Sequence, residues 1–222
     1  MARHRRYGAW RGLVHLMVAG LLAMGAHAAS AGPLIWAFGD SLTAGYGLPP
    51  AQGFTARLEG ALRARGIAAT VRNGGVSGDT AAQGRARLLW GLRGLKVRPD
   101  LAIVEFGAND MLRGLPPEQA AANLDAIVTT LKARGIPVLV AGMRAAPNLG
   151  PDYVRRFDGL YPALAKRRRV PLYPFFLAGV AGRPALAQAD GLHPTAAGVA
   201  IIVRRILPAV TAALPDRDRA TR

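Results

Sequence analysis

Short apolar runs rich in β-branched residues recur along this sequence, and a longer amphipathic stretch follows each one. The runs are residues 33–38, 69–72, 100–106, 137–143 and 170–173. The stretches between and after them predict helices over 54–65, 80–93, 118–134, 152–169 and 195–214. Gly66 closes the first helix and Gly135 stops the third, and a bend is expected at Pro208 in the last. A strand with one wet face alternates apolar and polar residues. Near-continuous apolar strands separated by helices instead indicate a parallel sheet covered on both faces. The expected fold is therefore α/β, a three-layer αβα domain with about five strands.

That architecture says where to look for function. In open parallel sheets the ligand sits outside the carboxyl ends of the strands. The segments to inspect are 39–47, 73–80, 107–115 and 143–148.

The first part of the chain reads differently. Arg3, Arg5, Arg6 and Arg11 precede an apolar run over 12–24, and Ala26-His27-Ala28 and Ala29-Ser30-Ala31 follow. A basic start, a short apolar stretch and an A-x-A site describe a secretory signal peptide, residues 1–28, cut after Ala28 or alternatively after Ala31. An uncleaved anchor is the competing reading, but the run is short for a membrane span of about 20 residues. The expected product is one domain over 29–215 with a basic tail at 216–222, exported to the periplasm or secreted. The sequence contains no cysteine. That removes thiolate chemistry, Cys-based metal sites and a lipid-anchored lipoprotein.

The formal charge of the 222-residue chain is +16. The leader carries four arginines and no acid, so the remainder stays strongly basic. The arginines are scattered, and no aromatic-interleaved basic motif appears, so no nucleic-acid partner is expected. The densest run, Lys166-Arg167-Arg168-Arg169, falls at a predicted helix end, where cations suit the helix dipole. Weak, salt-sensitive contact with an anionic membrane surface fits the charge better.

The residue inventory is restrictive. The histidines are His4, His15, His27 and His193, and the first three lie in the expected leader. The serines are Ser30, Ser41 and Ser77. A serine–histidine mechanism thus has one base and two internal nucleophiles to choose from. Neither serine lies in G-x-S-x-G, so the α/β-hydrolase elbow is absent. Acids total only 13 and rarely cluster, which disfavours metal and glycosidase chemistry. Walker and dinucleotide fingerprints are missing.

Four segments carry candidate chemistry. Gly39-Asp40-Ser41-Leu42 follows the first strand. It places Ser41 at the sheet rim near backbone N–H groups, unless Asp40 or Ser41 is only a helix cap. Asp190-Gly191-Leu192-His193-Pro194 precedes the last helix. Its spacing lets the Asp190 carboxylate reach Nδ1 of His193 and leaves Nε2 for a serine. Asn109, in Gly107-Ala108-Asn109-Asp110, offers an amide to an oxyanion or ends the strand in an Asx turn. Gly78, in Val76-Ser77-Gly78-Asp79, brings a backbone N–H close to a carbonyl, or marks a turn in which Asp79 caps the next helix.

Taken in the order Ser, Gly, Asn, Asp–His, these segments resemble the four blocks of the SGNH (GDSL) hydrolase superfamily. GDSLTAGYG and DGLHP are the specific ones. Within it the chain is similar to the bacterial periplasmic thioesterase I, lysophospholipase L1 and arylesterase group. The resemblance implies a flavodoxin-like sheet, a Ser41–His193–Asp190 triad, and an oxyanion hole from the Ser41 and Gly78 N–H groups and the Asn109 side chain. It also implies a small acyl ester or thioester substrate, with no cofactor and no metal. One departure is Ala108, where this group commonly has glycine.

The expected substrate-binding residues are Asp40, Met111, Leu112 and Leu115, with 152–155 bordering the same groove. Ordinary packing is the competing reading for that loop. Activity should fall as His193 protonates. Two alternatives remain open at this level: a carbohydrate O-acetyl esterase with the same triad, and a non-catalytic lipid- or glycan-binding module.

Overall fold

A computed structural model describes residues 32–215. The leader, its cleavage positions and the 216–222 tail lie outside the described residues.

Among the described residues, five strands form one parallel sheet. They are β1 (Leu34–Gly39), β2 (Thr70–Asn73), β3 (Leu101–Glu105), β4 (Val138–Ala141) and β5 (Leu172–Tyr173). The spatial order is β2-β1-β3-β4-β5, and every neighbouring pair is parallel. The register sets Phe38 beside Val104 and Gly39 beside Glu105. The three central strands are buried almost throughout, as their unbroken apolar sequence requires when helices cover both faces. Edge strand β2 is exposed at three of its four residues, which explains its weaker sequence signal.

Among the described residues, seven α-helices flank the sheet. They are α1 (Ser41–Ala44), α2 (Phe54–Arg63), α3 (Ala81–Gly94), α4 (Ala108–Leu112), α5 (Pro117–Ala133), α6 (Pro151–Arg168) and α7 (Ala196–Ala213). Helices α2 and α7 pack together, as do α3 with α5 and α5 with α6. Phe54, Leu58 and Leu62 recur at four-residue spacing and bury one stripe of α2. Val199, Ile202, Val203, Ile206 and Val210 form the matching stripe of α7. On α5 the stripe is Ala120, Leu124, Ile127, Val128 and Leu131.

The sequence-based boundaries stand within two residues for every strand and long helix. Helix α7 runs unbroken through Pro208. The basic end of α6 pairs Arg167 and Arg168 with Asp125 on α5. Two short helices, α1 and α4, were not expected. Four or five residues are too few to show a helical period, and both begin at the ends of central strands.

The strand order reverses direction between β1 and β3. A crevice must open there at the carboxyl edge. Ser41 follows β1, and Asn109 follows β3, on the two walls of that crevice.

Candidate active site

Ser41 opens α1 immediately beyond β1. Asp40 is the N-cap, and its Oδ1 accepts from the Leu42 N–H at 3.0 Å. The cap and the serine are thus consecutive parts of one turn, and the two readings of this segment coexist. The chain can turn this tightly only because residue 39 has no side chain. A Cβ at Gly39 would stand 2.2 Å from Thr43 Oγ1 and 2.5 Å from the Glu105 carbonyl oxygen.

His193 comes from the other end of the domain. Its Nε2 lies 2.8 Å from Ser41 Oγ, and its Nδ1 lies 2.6 Å from Asp190 Oδ2. Asp190 Oδ1 accepts from the N–H groups of Leu192 and His193, at 2.9 and 3.0 Å. The His193 backbone bond, the His193 side chain and the Leu192 N–H together hold the Asp190 carboxyl down to about 2. It is therefore an anion at neutral pH, aimed at the imidazole.

The loop carrying the pair is braced. Gln188 donates from Nε2 to the carbonyls of Tyr46 and Pro194, at 2.8 and 3.0 Å, and its N–H donates to the His193 carbonyl at 2.7 Å. The Tyr46 ring stands 4.5 Å from the imidazole, centroid to centroid. Neither Gln188 nor Tyr46 could be assigned from sequence, because their contacts join segments more than 140 residues apart.

Gly78 has φ +86°, a conformation that an L side chain adopts only with strain. Its carbonyl accepts from Arg113 Nη2 at 2.7 Å. The following loop differs from expectation. Thr80, not Asp79, caps α3, in a capping box with Gln83. Asp79 pairs instead with Arg87 Nε, whose Nη2 donates to the Gly39 carbonyl at 2.9 Å. Arg87 thereby ties the Gly78 loop to the end of β1.

Asn109 lies in the first turn of α4. Its Nδ2 donates to Asp40 Oδ2 at 3.2 Å and to the Asp79 carbonyl at 3.0 Å. Ser41, Gly78 and Asn109 all line one cleft of about 970 Å3. Its walls are largely apolar and include Met111, Leu112, Met143, Phe175 and Val180. Ala108 also faces it.

Two expected substrate-binding residues, Asp40 and Leu115, lie off the cleft wall. Asp40 is fully buried beneath Ser41 and does not line the cleft. Leu115 does not line it either; its carbonyl accepts from Tyr153 Oη at 2.9 Å. Residues 152–155 are likewise absent from the lining, and Asp152 pairs with Arg155 and Arg156.

A second acid lies below Asp40. Glu105, at the end of β3, is fully buried and accepts from Thr43 Oγ1 at 2.8 Å. The signal for it was present in the sequence: a lone carboxylate inside an apolar strand is rare unless partnered. Burial pushes Asp40 up to about 6, and burial and then the Asp40 charge raise Glu105 well above the ordinary carboxyl range. Among the described residues no group of three or more His, Asp or Glu side chains is arranged to hold a metal ion.

A hydroxyl on imidazole on carboxylate is an arrangement able to deprotonate that hydroxyl as it attacks an electrophile. Comparison with known proteins agrees with this chemistry. The model of the GDSL-like Lipase/Acylhydrolase family matches residues 37–201. Esterase TesA of Pseudomonas aeruginosa is 39% identical over 170 residues, covering 77% of this chain and 84% of that protein. Arylesterase of Vibrio mimicus is 41% identical over 167 residues, covering 75% and 82%. The crystal structure of AlinE4, an SGNH-hydrolase family esterase, superposes with a TM-score of 0.71 at 52% identity, covering 83% of this chain and 98% of that one. A family match over most of the domain, laid on a sheet that carries serine, glycine, asparagine and histidine around one cleft, establishes that this chain belongs to the GDSL-like lipase/acylhydrolase family, the SGNH hydrolases.

Proposed function

We propose that this protein hydrolyses carboxylic esters or thioesters of small acyl substrates through an acyl-enzyme on Ser41. The Asp190–His193–Ser41 relay, with spacings of 2.6 and 2.8 Å, carries the reading. His193 Nε2 takes the serine proton as Ser41 Oγ attacks the acyl carbonyl. Asp190 fixes the tautomer and stabilises the imidazolium that forms. The N–H groups of Ser41 and Gly78 and the Asn109 amide receive the oxyanion. Both Asn109 amide hydrogens are engaged at rest, so the one on the Asp79 carbonyl is exchanged for the oxyanion while the bond to Asp40 persists. His193 then protonates the leaving alcohol or thiol. A water molecule, activated by the same imidazole, releases the acid.

Met111 and Leu112 serve as part of the acyl groove, supported by their place on the cleft wall. The protein acts after export, as one domain over 29–215 freed from the leader at 1–28. Its basic surface favours weak contact with anionic membrane. Ser41→Ala should lower turnover of a p-nitrophenyl ester by roughly 10^3-fold or more. Retention of most of the activity would overturn the nucleophile assignment.

A further inference from the structure

The mechanism above leaves one buried ionisable group unused. Glu105 ends β3 directly beside Gly39 and has no exposed surface. Oε2 accepts from Thr43 Oγ1, but Oε1 is the one buried side-chain polar atom among the described residues without a hydrogen-bond partner. A buried polar atom left unpaired is costly and calls for an explanation.

The explanation lies in its neighbour. The Asp40 carboxyl is within hydrogen-bonding reach of Glu105, and two carboxylates cannot bond each other. With one proton between them, they can. The surroundings decide where the proton sits. Asp40 already accepts from the Leu42 N–H and from Asn109 Nδ2, and faces the imidazole of His193. Glu105 accepts from the Thr43 hydroxyl and, more weakly, from the Asp40 backbone N–H, and it faces no cation, only Asp40 and the Tyr161 phenol. The better-solvated acid keeps the charge, and the other keeps the proton.

We propose that Glu105 is a positioning residue for the reaction, a neutral acid that donates from Oε1 to the Asp40 carboxylate and thereby holds the Ser41 turn and the Asn109 amide in register. It reaches the Ser41 turn by two routes, one through Asp40, which caps α1, and one through Thr43 in α1 itself. An ionised Glu105 would repel Asp40 and would place a second negative charge beneath the forming oxyanion. The inference rests on the proposed roles of Ser41 and Asn109.

Two variants and one spectrum test it. Glu105→Gln keeps the shape, the neutral donor and the acceptor for Thr43. Glu105→Leu fills the space and removes both polar atoms. Loss of an oxyanion donor costs on the order of 10^2–10^3 in kcat. Misplacing one should therefore lower kcat of Glu105→Leu by about tenfold or more, with KM changed by less than about threefold. Glu105→Gln should restore kcat to at least about tenfold above Glu105→Leu, a rescue that a merely structural defect in the leucine variant would not require of an uncharged amide.

Isotope-edited infrared spectra of the intact enzyme at pH 7.5 should contain a carboxylic-acid C=O band that disappears in Glu105→Gln. Absence of that band in the wild type overturns the proposal. So does a folded Glu105→Gln with turnover as low as Glu105→Leu, or a folded Glu105→Leu with wild-type kcat. If Glu105→Leu does not fold, the infrared band and the kcat of Glu105→Gln decide. Failure of the Ser41 assignment would appear separately, as activity surviving in Ser41→Ala.

Discussion

Asp40→Asn should make this enzyme more stable at alkaline pH and less active. Burial raises the Asp40 carboxyl from 3.8 to about 6. The folded protein therefore binds this proton more tightly than the unfolded chain does. The stability it contributes is fully present below the unfolded value and is lost as pH rises through the folded value. A displacement from 3.8 to about 6 corresponds to about 3 kcal/mol, which is what the ionised group costs well above pH 6 relative to pH well below 3.8. Asparagine does not titrate. Its Oδ1 keeps the Leu42 N–H, but its Nδ2 meets the Asn109 amide donor-to-donor and forfeits that bond, costing about 1 kcal/mol at every pH.

The variant should thus be slightly less stable than wild type near pH 4 and about 2 kcal/mol more stable at pH 8. Urea unfolding of both proteins at pH 4, 6 and 8 measures the gap, and groups other than Glu105, which feels the Asp40 charge, cancel from it. Turnover should fall about tenfold or more at pH 8, because Asn109 loses its anchor. A stability gap that stays constant across this range, or that moves toward the wild type as pH rises, refutes the reasoning.

Asp190→Asn should lower kcat on the order of 10^3–10^4-fold, since the amide no longer selects the productive tautomer of His193. Esterase assays at pH 8 check this, and a variant within tenfold of wild type contradicts it. Because Asp190 is held down to about 2, it stays ionised across the working range, and its protonation does not shape the acid limb of activity. Tyr161→Phe should cost about 1–2 kcal/mol, because Tyr161 Oη donates to the buried Phe106 carbonyl at 3.0 Å and no other donor replaces it. Chemical denaturation should register that loss while kcat stays unchanged.

The layered fold was legible because each central strand is apolar on both faces and each long helix repeats its apolar stripe. Such periodic signals are local. The Ser41 and His193 segments were legible for a different reason: one histidine and two serines remained once the leader was set aside. What sequence could not supply was long-range. Asp40 looked like a substrate contact because it adjoins Ser41, yet the turn that sets the serine on the cleft wall carries the aspartate away from it. Leu115 looked like groove wall because it follows Met111 and Leu112, yet α4 ends before it and turns it toward Tyr153. Asp79 stood where a cap is expected, but Thr80 takes the cap and Arg87 takes the aspartate. Each outcome depends on partners brought in from other elements.

Ser41 and His193 bond across 152 residues of sequence. Closing so wide a loop costs chain entropy that only non-local contacts repay, among them the packing of α7 on α2. The hydrolase emerges from its ribosome, or from a translocation pore, without a working nucleophile. Ester turnover therefore reports on the docking of its final helix, and a preparation's specific activity counts the molecules that have finished folding.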